Sequence, residues 1–325
     1  MPDLYLLPKR VLSAVPALGR ALKQADVWLL RGAFGLLARL PPARAERLAA
    51  ALFGWFGPRG AQSEKVRKNL RIVFPDRDEA GIEQLTRESY RHVGVAAVEL
   101  LNAPRMLAAR DARFELVIED PRIQPLRPGT PAVIVTAHVG AWQYVAMLGQ
   151  LCGVRLTSLY APEINPRVRP LFLRLREAMG CHWLSRDDSA RALLKELAAG
   201  NCVGFATDTR FDQGRMVEFC GHEAMTNTAA ARLALRFGCP LFAVRCDRLP
   251  GQRYRMVLAR LIEPEPGCTD TDQQTLGMTR EMNREFERWI RRDPGRWVCM
   301  KRRWPREPGL ASTAEGVRAM NDPDC

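Results

Sequence analysis

The chain has 325 residues, of which 47% are hydrophobic and 26% charged, so it is long enough for one large domain or two small ones. This composition excludes long disordered tracts over most of the chain. The formal net charge of +13 favours anionic partners, namely nucleic acid, anionic lipid head groups or phosphorylated substrates, but does not choose among them.

The cysteines indicate a reducing compartment. There are nine of them, an odd number, no two form a C-x-x-C pair, and most stand in apolar runs. We therefore expect buried free thiols rather than disulfides. No spacing fits a zinc site, and we expect neither a metal nor a cofactor.

The N-terminal region predicts helices at a membrane surface. Residues 10–57 combine two broad apolar stripes, rich in tryptophan, leucine and phenylalanine, with flanking basic residues, which is typical of a helix lying in a lipid interface. A helical hairpin packed into the core is the alternative. No signal peptide is evident, and no run reaches the roughly 18 uncharged residues of a spanning helix.

More helix is predicted over 61–103. Ser63 and Glu64 mark one start, Pro75-Asp76 a break, and Asp78-Glu79 the start of a segment that reaches Leu101. We assign residues 1–105 to an N-terminal helical, membrane-interfacial region.

From residue 131 onward, short apolar runs alternate with helical patterns. Strands are predicted at 132–136, 155–160, 182–184, 202–206 and 240–245, with an edge strand at 254–261. Helices are predicted at 142–151, 168–179, 189–199, 229–237 and 271–291. This alternation predicts an α/β domain over 106–306, with a mostly parallel central sheet flanked by helices, and a flexible tail over 307–325.

A histidine follows the first of these strands directly. The strand 132–136 runs into Ala-His138-Val-Gly140-Ala-Trp142-Gln143, which places His138 at the carboxyl edge of the sheet, where open α/β sheets bind ligands. Gly140 permits a close backbone approach, and a neutral imidazole is a natural general base for a hydroxyl group. Asp208 ends another buried strand at the same edge. A single histidine after a strand is weak evidence by itself.

Several blocks of the sequence carry a family resemblance. His138 with a polar residue five positions later resembles the H-x4-D/E motif of the glycerolipid acyltransferases, and T-A-H-V-G-A-W-Q is similar to the lipid A late acyltransferases (lauroyl and myristoyl transferases). Further similar blocks follow the family's order: Arg67-Lys68-Asn69-Leu70 with Phe74-Pro75; Asp208 with Phe219-Cys220-Gly221 and Thr226; Leu233-Ala234-Leu235 with Gly238-Cys239-Pro240; and Asp293-Pro294 with Trp297 and Arg302-Arg303-Trp304. Together they span about residues 20 to 306.

The resemblance implies a glycerolipid acyltransferase-like fold and an O-acyltransferase of lipid A or lipopolysaccharide biosynthesis. Such an enzyme moves a fatty acyl group from acyl carrier protein or coenzyme A to a hydroxyl of a lipid A precursor, another glycolipid or an aminolipid. It implies a peripheral or monotopic protein on the cytoplasmic face of the cell inner membrane, bound to an anionic lipid surface. The alternative is a catalytically weak lipid-binding relative, and the order of the blocks argues against nucleic-acid binding.

The resemblance also implies the site. The expected catalytic residues are His138, Gln143, Arg186 and Asp208, and the expected substrate-binding residues are Gly140, Trp142, Arg210 and Thr226. Gln143 departs from the family, which has Glu or Asp there to orient and charge-stabilise the histidine. Three interpretations stay open: His138 works with the uncharged Gln143, another carboxylate such as Asp208 approaches it, or catalysis is impaired.

The stretch 288–306 is dense in arginine and lysine, with Trp289, Trp297 and Trp304 between them. This pattern is compatible with stacking on single-stranded nucleic acid. We favour a lipid interface, since it also accounts for the N-terminal stripes.

Overall fold

The computed structural model of the chain describes residues 16–163, 165–185 and 189–305. Helices precede residue 114, and strands alternate with helices after it. The α-helices of the described residues are α1 (Pro16–Arg39), α2 (Pro42–Phe56), α3 (Ser63–Val73), α4 (Glu79–Ala108), α5 (Arg110–Arg113), α6 (Leu148–Cys152), α7 (Arg169–Glu177), α8 (Ser189–Ala198), α9 (Ala229–Phe237) and α10 (Thr271–Arg292). Short 3-10 segments lie at Gly57–Arg59, Trp142–Met147 and Pro294–Arg296.

The strands form one large sheet and one hairpin. They are β1 (Phe114–Ile118), β2 (Ala132–Thr136), β3 (Leu156–Tyr160), β4 (His182–Ser185), β5 (Cys202–Ala206), β6 (Arg215–Phe219), β7 (His222–Thr226), β8 (Leu241–Leu249) and β9 (Arg253–Ile262). The large sheet has seven strands in the order β1-β9-β8-β2-β5-β3-β4, and β6 pairs with β7 in an antiparallel hairpin. From β8 to β4 all neighbours are parallel; β9 runs antiparallel to β8, and β1 is parallel to β9.

The middle of the sheet is covered on both faces. All five residues of β2 are buried, as expected for a central parallel strand with helices on either side. Val133 and Val135 pack into one apolar cluster with α9 and α10, while Ala132 and Ile134 pack into another with α4 and α7. The predicted α/β class with a mostly parallel sheet is therefore confirmed.

The N-terminal helices pack on α4 through small residues. A Cβ added to Gly94 of α4 would lie 2.4 Å from the carbonyl oxygen of Ala49, so α2 and α4 approach backbone to backbone. The opposite side of α1 and α2 carries exposed large apolar residues: Trp28, Leu29, Leu36, Leu48, Leu52, Phe53, Trp55 and Phe56. The helices predicted over 10–57 are confirmed for the described residues, none of which belong to a helix long and apolar enough to cross a bilayer.

The alternating pattern of residues 254–261 predicts an edge strand, and this prediction is wrong. The strand over Arg253–Ile262 lies one position inside the edge of the sheet. The short strand β1, which we did not predict, pairs with it over Phe114–Ile118 and takes the edge position. The run F-E-L-V-I is short and contains a charged residue, so its pattern is weak without the partner strand. The hairpin of β6 and β7 was also missed.

The tryptophans of the C-terminal stretch lie in the core, so the predicted lipid or nucleic-acid surface there is wrong. Trp289, Trp297 and Trp304 are each at most 2% exposed. They face inward from α10 and from the segment after it, and most of the intervening basic side chains point outward. Asn69 of α3 fixes this segment, because its amide donates to the carbonyls of Cys299 and Lys301 and its oxygen accepts from the Arg303 N–H.

The predicted division of the chain stays a prediction. Its boundary after residue 105 falls inside α4, which ends at Ala108. The predicted tail over 307–325 lies outside the described residues. The eight cysteines within the described ranges are free, and five of them are buried.

Candidate active site

His138 and Asp208 meet because of the register between β2 and β5. These strands are parallel neighbours, and their last residues, Thr136 and Ala206, are directly paired. Each site residue stands two positions beyond the end of its strand. Residues 70 positions apart in the sequence therefore reach the same level of the carboxyl edge of the sheet.

The carboxylate of Asp208 holds the imidazole of His138 by direct hydrogen bonds. Nδ1 of His138 lies 2.6 Å from Oδ1 of Asp208, and the His138 backbone N–H donates to Oδ2 at 3.1 Å. The indole N–H of Trp297 donates to the same Oδ2 at 2.9 Å. The Asp208 side chain is 1% exposed and that of His138 27%. Because Nδ1–H is donated to Asp208, Nε2 is the nitrogen with a free lone pair.

The two groups favour each other's charged forms. Burial lowers the pKa of His138, but the charge of Asp208 and the hydrogen bond to it raise that pKa by more, so it lies above the ordinary 6.5. Lys301 acts weakly in the opposite direction. Burial raises the pKa of Asp208, but the imidazole, the indole and the backbone N–H lower it by more. The pair is built to accept a proton on Nε2.

A tight turn presents the histidine. The Val139 N–H donates to the Ala137 carbonyl at 2.7 Å across His138, and the His138 carbonyl accepts from Val298 at 2.8 Å. Gly140 has a φ of +64°, and a Cβ there would lie 2.6 Å from the Cys246 carbonyl oxygen. The close approach that this glycine permits is to β8. A substrate contact by Gly140 stays a prediction.

No hydrogen bond between Gln143 and His138 is found among the described residues. The Gln143 side-chain amide donates instead to the carbonyl of Ala96 in α4 at 2.8 Å. Of the three interpretations of this position, the geometry agrees with the second, in which Asp208 supplies the carboxylate. Trp142 does lie beside the histidine, with ring centroids 5.6 Å apart.

The remaining predicted residues are not gathered at His138 by any contact the structure describes. Arg186 lies outside the described residues. The Arg210 side chain is 6% exposed and forms an ion pair with Asp212 at 2.5 Å. Thr226 is fully buried, and its hydroxyl accepts from Arg303 at 2.6 Å and donates to the Ala224 carbonyl. Substrate contacts by Arg210 and Thr226 stay predictions.

Two residues near the pair were missed as site residues. Trp297 was assigned to a lipid surface, although it stands in one of the blocks that carry the resemblance. Arg303 is 1% exposed, donates to the Met225 carbonyl at 2.8 Å and lies 4.7 Å over the Phe219 ring. Burial lowers its pKa to about 10, while the charge of Asp208 acts in the opposite direction. The pairing of both residues with partners far along the chain has no local sequence signal.

No group of three or more potential metal ligands comes together among the residues that the structure describes.

One known protein family matches most of the chain. The family model described as bacterial lipid A biosynthesis acyltransferase matches residues 17–306. The chain belongs to this family. It is therefore an acyltransferase.

Individual relatives are distant. This acyltransferase is 23% identical over 283 residues to the lipid A biosynthesis acyltransferase of Haemophilus influenzae, covering 84% of this chain and 85% of the relative. Among solved structures it is similar to the 1-acyl-sn-glycerophosphate acyltransferase PlsC of Thermotoga maritima, with 13% identity and a TM-score of 0.35, covering 75% of this chain and 96% of the other.

Proposed function

We propose that this acyltransferase moves a fatty acyl group from a thioester, carried by acyl carrier protein or coenzyme A, to a hydroxyl of a lipid acceptor. The acceptor is a lipid A precursor or another glycolipid or aminolipid. The observation that carries the proposal is the His138–Asp208 pair at the carboxyl edge of the sheet. The name of the Haemophilus influenzae relative supports the lipid A precursor as the first acceptor to test.

The pair suits general-base catalysis of acyl transfer. Nε2 of His138 removes the proton of the acceptor hydroxyl as its oxygen attacks the thioester carbonyl. The tetrahedral intermediate collapses, the new ester forms, and the C–S bond breaks. The imidazolium then gives its Nε2 proton to the departing thiolate, so the histidine returns to its neutral form. No step needs a metal or a redox group.

The buried carboxylate makes this cycle favourable. Asp208 keeps the proton of the neutral imidazole on Nδ1, which leaves Nε2 as the base, and its charge stabilises the imidazolium that forms. Trp297 and the backbone N–H of His138 both donate to Oδ2 and hold it in place, while Oδ1 faces the imidazole. The weak-relative alternative depended on the missing carboxylate at Gln143. Asp208 supplies that charge, which supports the transferase.

The oxyanion and the acceptor head group need positive partners. We assign Arg186 to one of these two roles, since the family resemblance implies an arginine here and Arg186 directly follows the last residue of β4 in the sequence. Arg210, two residues after Asp208, is the second candidate.

A membrane surface suits both the substrate and the N-terminal helices. The exposed apolar residues of α2 include Phe53, Trp55 and Phe56, and exposed arginines such as Arg44 and Arg47 lie on the same helix. Aromatic rings at the level of the lipid carbonyls and cations on the phosphates would hold the protein peripherally on the cytoplasmic face of the inner membrane. We propose this location for the acyltransferase.

The test compares lipids from cells that express the wild type, His138→Ala and a matched control, His222→Ala, in which an exposed histidine of β7 is removed. Mass spectrometry of total lipids, including lipid A, is expected to show one lipid that gains an acyl chain with the wild type and the control only. Purified protein with that lipid and either acyl carrier protein or coenzyme A thioester then identifies the donor.

Identical lipid profiles for wild type and His138→Ala in the native host, under conditions where the protein is made, would refute the transferase. The lipid-binding relative would then be the better account.

A further inference from the structure

One face of α4 holds the loop that follows His138. His92, Ala96 and Glu99 are spaced four and three residues apart, so they lie on the same side of the helix. The His92 ring bonds to the Gly140 carbonyl, the Ala96 carbonyl accepts from Gln143, and the Glu99 carbonyl accepts from the Tyr144 hydroxyl. The catalytic loop is therefore attached to α4 at three points.

The attachment by His92 has a defined proton position. Its Nε2 lies 2.9 Å from the Gly140 carbonyl oxygen, which can only accept, so Nε2 carries the hydrogen. Nη1 of Arg248 lies 3.0 Å from Nδ1 and 2.9 Å from Nε2 of the ring. Since Nε2 is protonated, Nδ1 has the free lone pair and accepts from Arg248.

The surroundings of His92 keep it neutral. Its exposed fraction is 7%, and burial, followed by the charge of Arg248, holds its pKa well below the ordinary 6.5, although the hydrogen bond to Gly140 acts in the opposite direction. Arg296 adds a weaker positive charge. Arg248 is itself fixed, because its Nε and Nη2 donate to the two carboxylate oxygens of Glu99, each at 2.6 Å. His92 is thus a permanent donor on a rigid support.

Gly140 connects this donor to the catalytic histidine. It stands two residues after His138, and its positive φ turns the chain against β8, where the Ala141 N–H donates to the Cys246 carbonyl at 2.8 Å. On one side, the N–H of Ala141 in the turn donates to β8. On the other side, the carbonyl of Gly140 in the turn accepts from His92 of α4. If the carbonyl of Gly140 were released, the turn could rotate and move the ring of His138 away from Asp208.

We propose that His92 is a positioning residue of the acyltransferase. As a neutral donor on Nε2, it fixes the Gly140 peptide and thereby the distance between His138 and Asp208. This inference rests on the proposed function for its effect on catalysis, but its effect on the His138–Asp208 pair is independent of which lipid is acylated.

The test uses a background in which His182→Gln and His222→Gln leave His92 and His138 as the remaining histidines; the two replaced side chains are exposed and have no contact with the pair. Nitrogen-15 NMR of the imidazoles is expected to show His92 neutral and protonated on Nε2 at pH 6.5 and above, because its pKa lies well below 6.5. His138 is expected to carry its proton on Nδ1 and to titrate above pH 6.5.

Two substitutions then separate positioning from packing. His92→Leu keeps an apolar volume but removes the donor, and we expect kcat to fall about 10- to 100-fold with little change in KM, since a misplacement of about 1 Å costs this much. The pKa of His138 is expected to fall towards 6.5 as its contact with Asp208 loosens, which shifts the acid limb of the kcat/KM profile to lower pH. His92→Gln restores a donor amide to Gly140 and is expected to recover most of the activity and the raised pKa.

The inference is overturned if the pKa of His92 is 6.5 or higher, or if His92 carries its proton on Nδ1 in the wild type. It is also overturned if folded His92→Leu keeps both kcat and the pKa of His138. Should His92→Leu not fold, the wild-type spectrum and the His92→Gln variant still decide. A wild type that has the expected raised pKa of His138 but no transferase activity would refute the proposed function. The inference that His92 positions His138 would still stand.

Discussion

Three N–H donors converge on Asp208: the imidazole and backbone of His138 and the indole of Trp297. A carboxylate with both oxygens occupied has one orientation, so the imidazole that it accepts from also has one orientation. Because the carboxylate is buried and water does not screen its charge, its electrostatic interaction with the imidazole is stronger than it would be in solvent. At the residue scale, Asp208 is the group on which the site depends.

Asp208→Asn tests this dependence. The amide is uncharged, and it can donate to Nδ1 and so favour the wrong tautomer of His138. We expect kcat to fall about 10³- to 10⁴-fold with a small change in KM, as for the charge-neutralised acid of a catalytic triad. Purified enzyme with a thioester donor provides the measurement, and Asp272→Asn, an exposed aspartate of α10, is the control. Activity within tenfold of the wild type would mean that Asp208 does not orient the base.

The pH dependence of kcat/KM follows from the same contact. The base must be neutral to accept a proton, and Asp208 raises the pKa of His138 above 6.5. Activity is therefore expected to rise with pH and to level off only above a pKa greater than 6.5. An apparent pKa at or below 6.5 for the acid limb of the kcat/KM profile would show that the charge of Asp208 does not raise the pKa of His138 in solution.

Gln143 offers a contrasting prediction. Its amide donates to the Ala96 carbonyl, and a glutamate there would set a carboxylate against a carbonyl oxygen. We expect Gln143→Glu to lower the free energy of unfolding by about 1–3 kcal/mol, because the buried acceptor loses its donor and gains a negative neighbour. Chemical denaturation measures this loss, and kcat is expected not to rise. Gln143→Met, which removes the bond without a charge, is the matched comparison. If the Gln143→Glu variant were both stable and faster, the third interpretation, in which the uncharged Gln143 impairs catalysis, would be restored.

At the scale of elements, α4 connects the N-terminal helices to the catalytic loop. One side of it packs against α2 through Gly94, and another holds Gly140, Gln143 and Tyr144. A similar connection runs between α3 and the C-terminal segment through Asn69. These long-range contacts place Trp297 and Arg303 beside the sheet.

Gly94→Ala tests the packing of α2 on α4. The added methyl group would lie 2.4 Å from a backbone oxygen, which cannot move without moving α2. We expect the free energy of unfolding to fall by about 1–3 kcal/mol. Gly277→Ala in α10 is the control, since a Cβ there meets nothing within 4 Å, and it is expected to add up to about 1 kcal/mol from helix propensity. Equal stability of the two variants would contradict the close approach of the helices.

At the scale of the whole molecule, the exposed apolar residues are concentrated on α1 and α2, and exposed arginines accompany them. Such a patch rimmed by charge is typical of an interaction surface. A lipid substrate makes a bilayer the natural partner of this surface.

The double variant Trp55→Glu with Phe56→Glu tests membrane binding. Both rings are more than half exposed, so their replacement is expected to leave the fold intact while placing two negative charges at the lipid surface. Cosedimentation with vesicles rich in phosphatidylglycerol is expected to fall at least tenfold. Leu116→Glu, an exposed apolar residue of β1 with 43% exposure, is the control and is expected to bind as the wild type does. Equal binding by all three proteins would move the membrane contact elsewhere.

Local sequence patterns determined the parts of this protein that depend on neighbouring residues. Apolar runs, caps and breaks predicted most strands and helices, the parallel sheet, and the placement of both His138 and Asp208 at its carboxyl edge. The ordered blocks indicated the family. Burial and periodicity act over a few residues, so these features can be read directly from the chain.

Only the tertiary structure decided which groups meet. The register of β2 with β5 chose Asp208 rather than Gln143 as the partner of His138, and the pairing of β1 with β9 moved the predicted edge strand inward. Packing of the C-terminal segment against α3 put Trp297 on the carboxylate instead of on a lipid surface. Each of these contacts joins segments far apart in the chain, and their energy depends on the alignment of whole strands and helices, which no local pattern records.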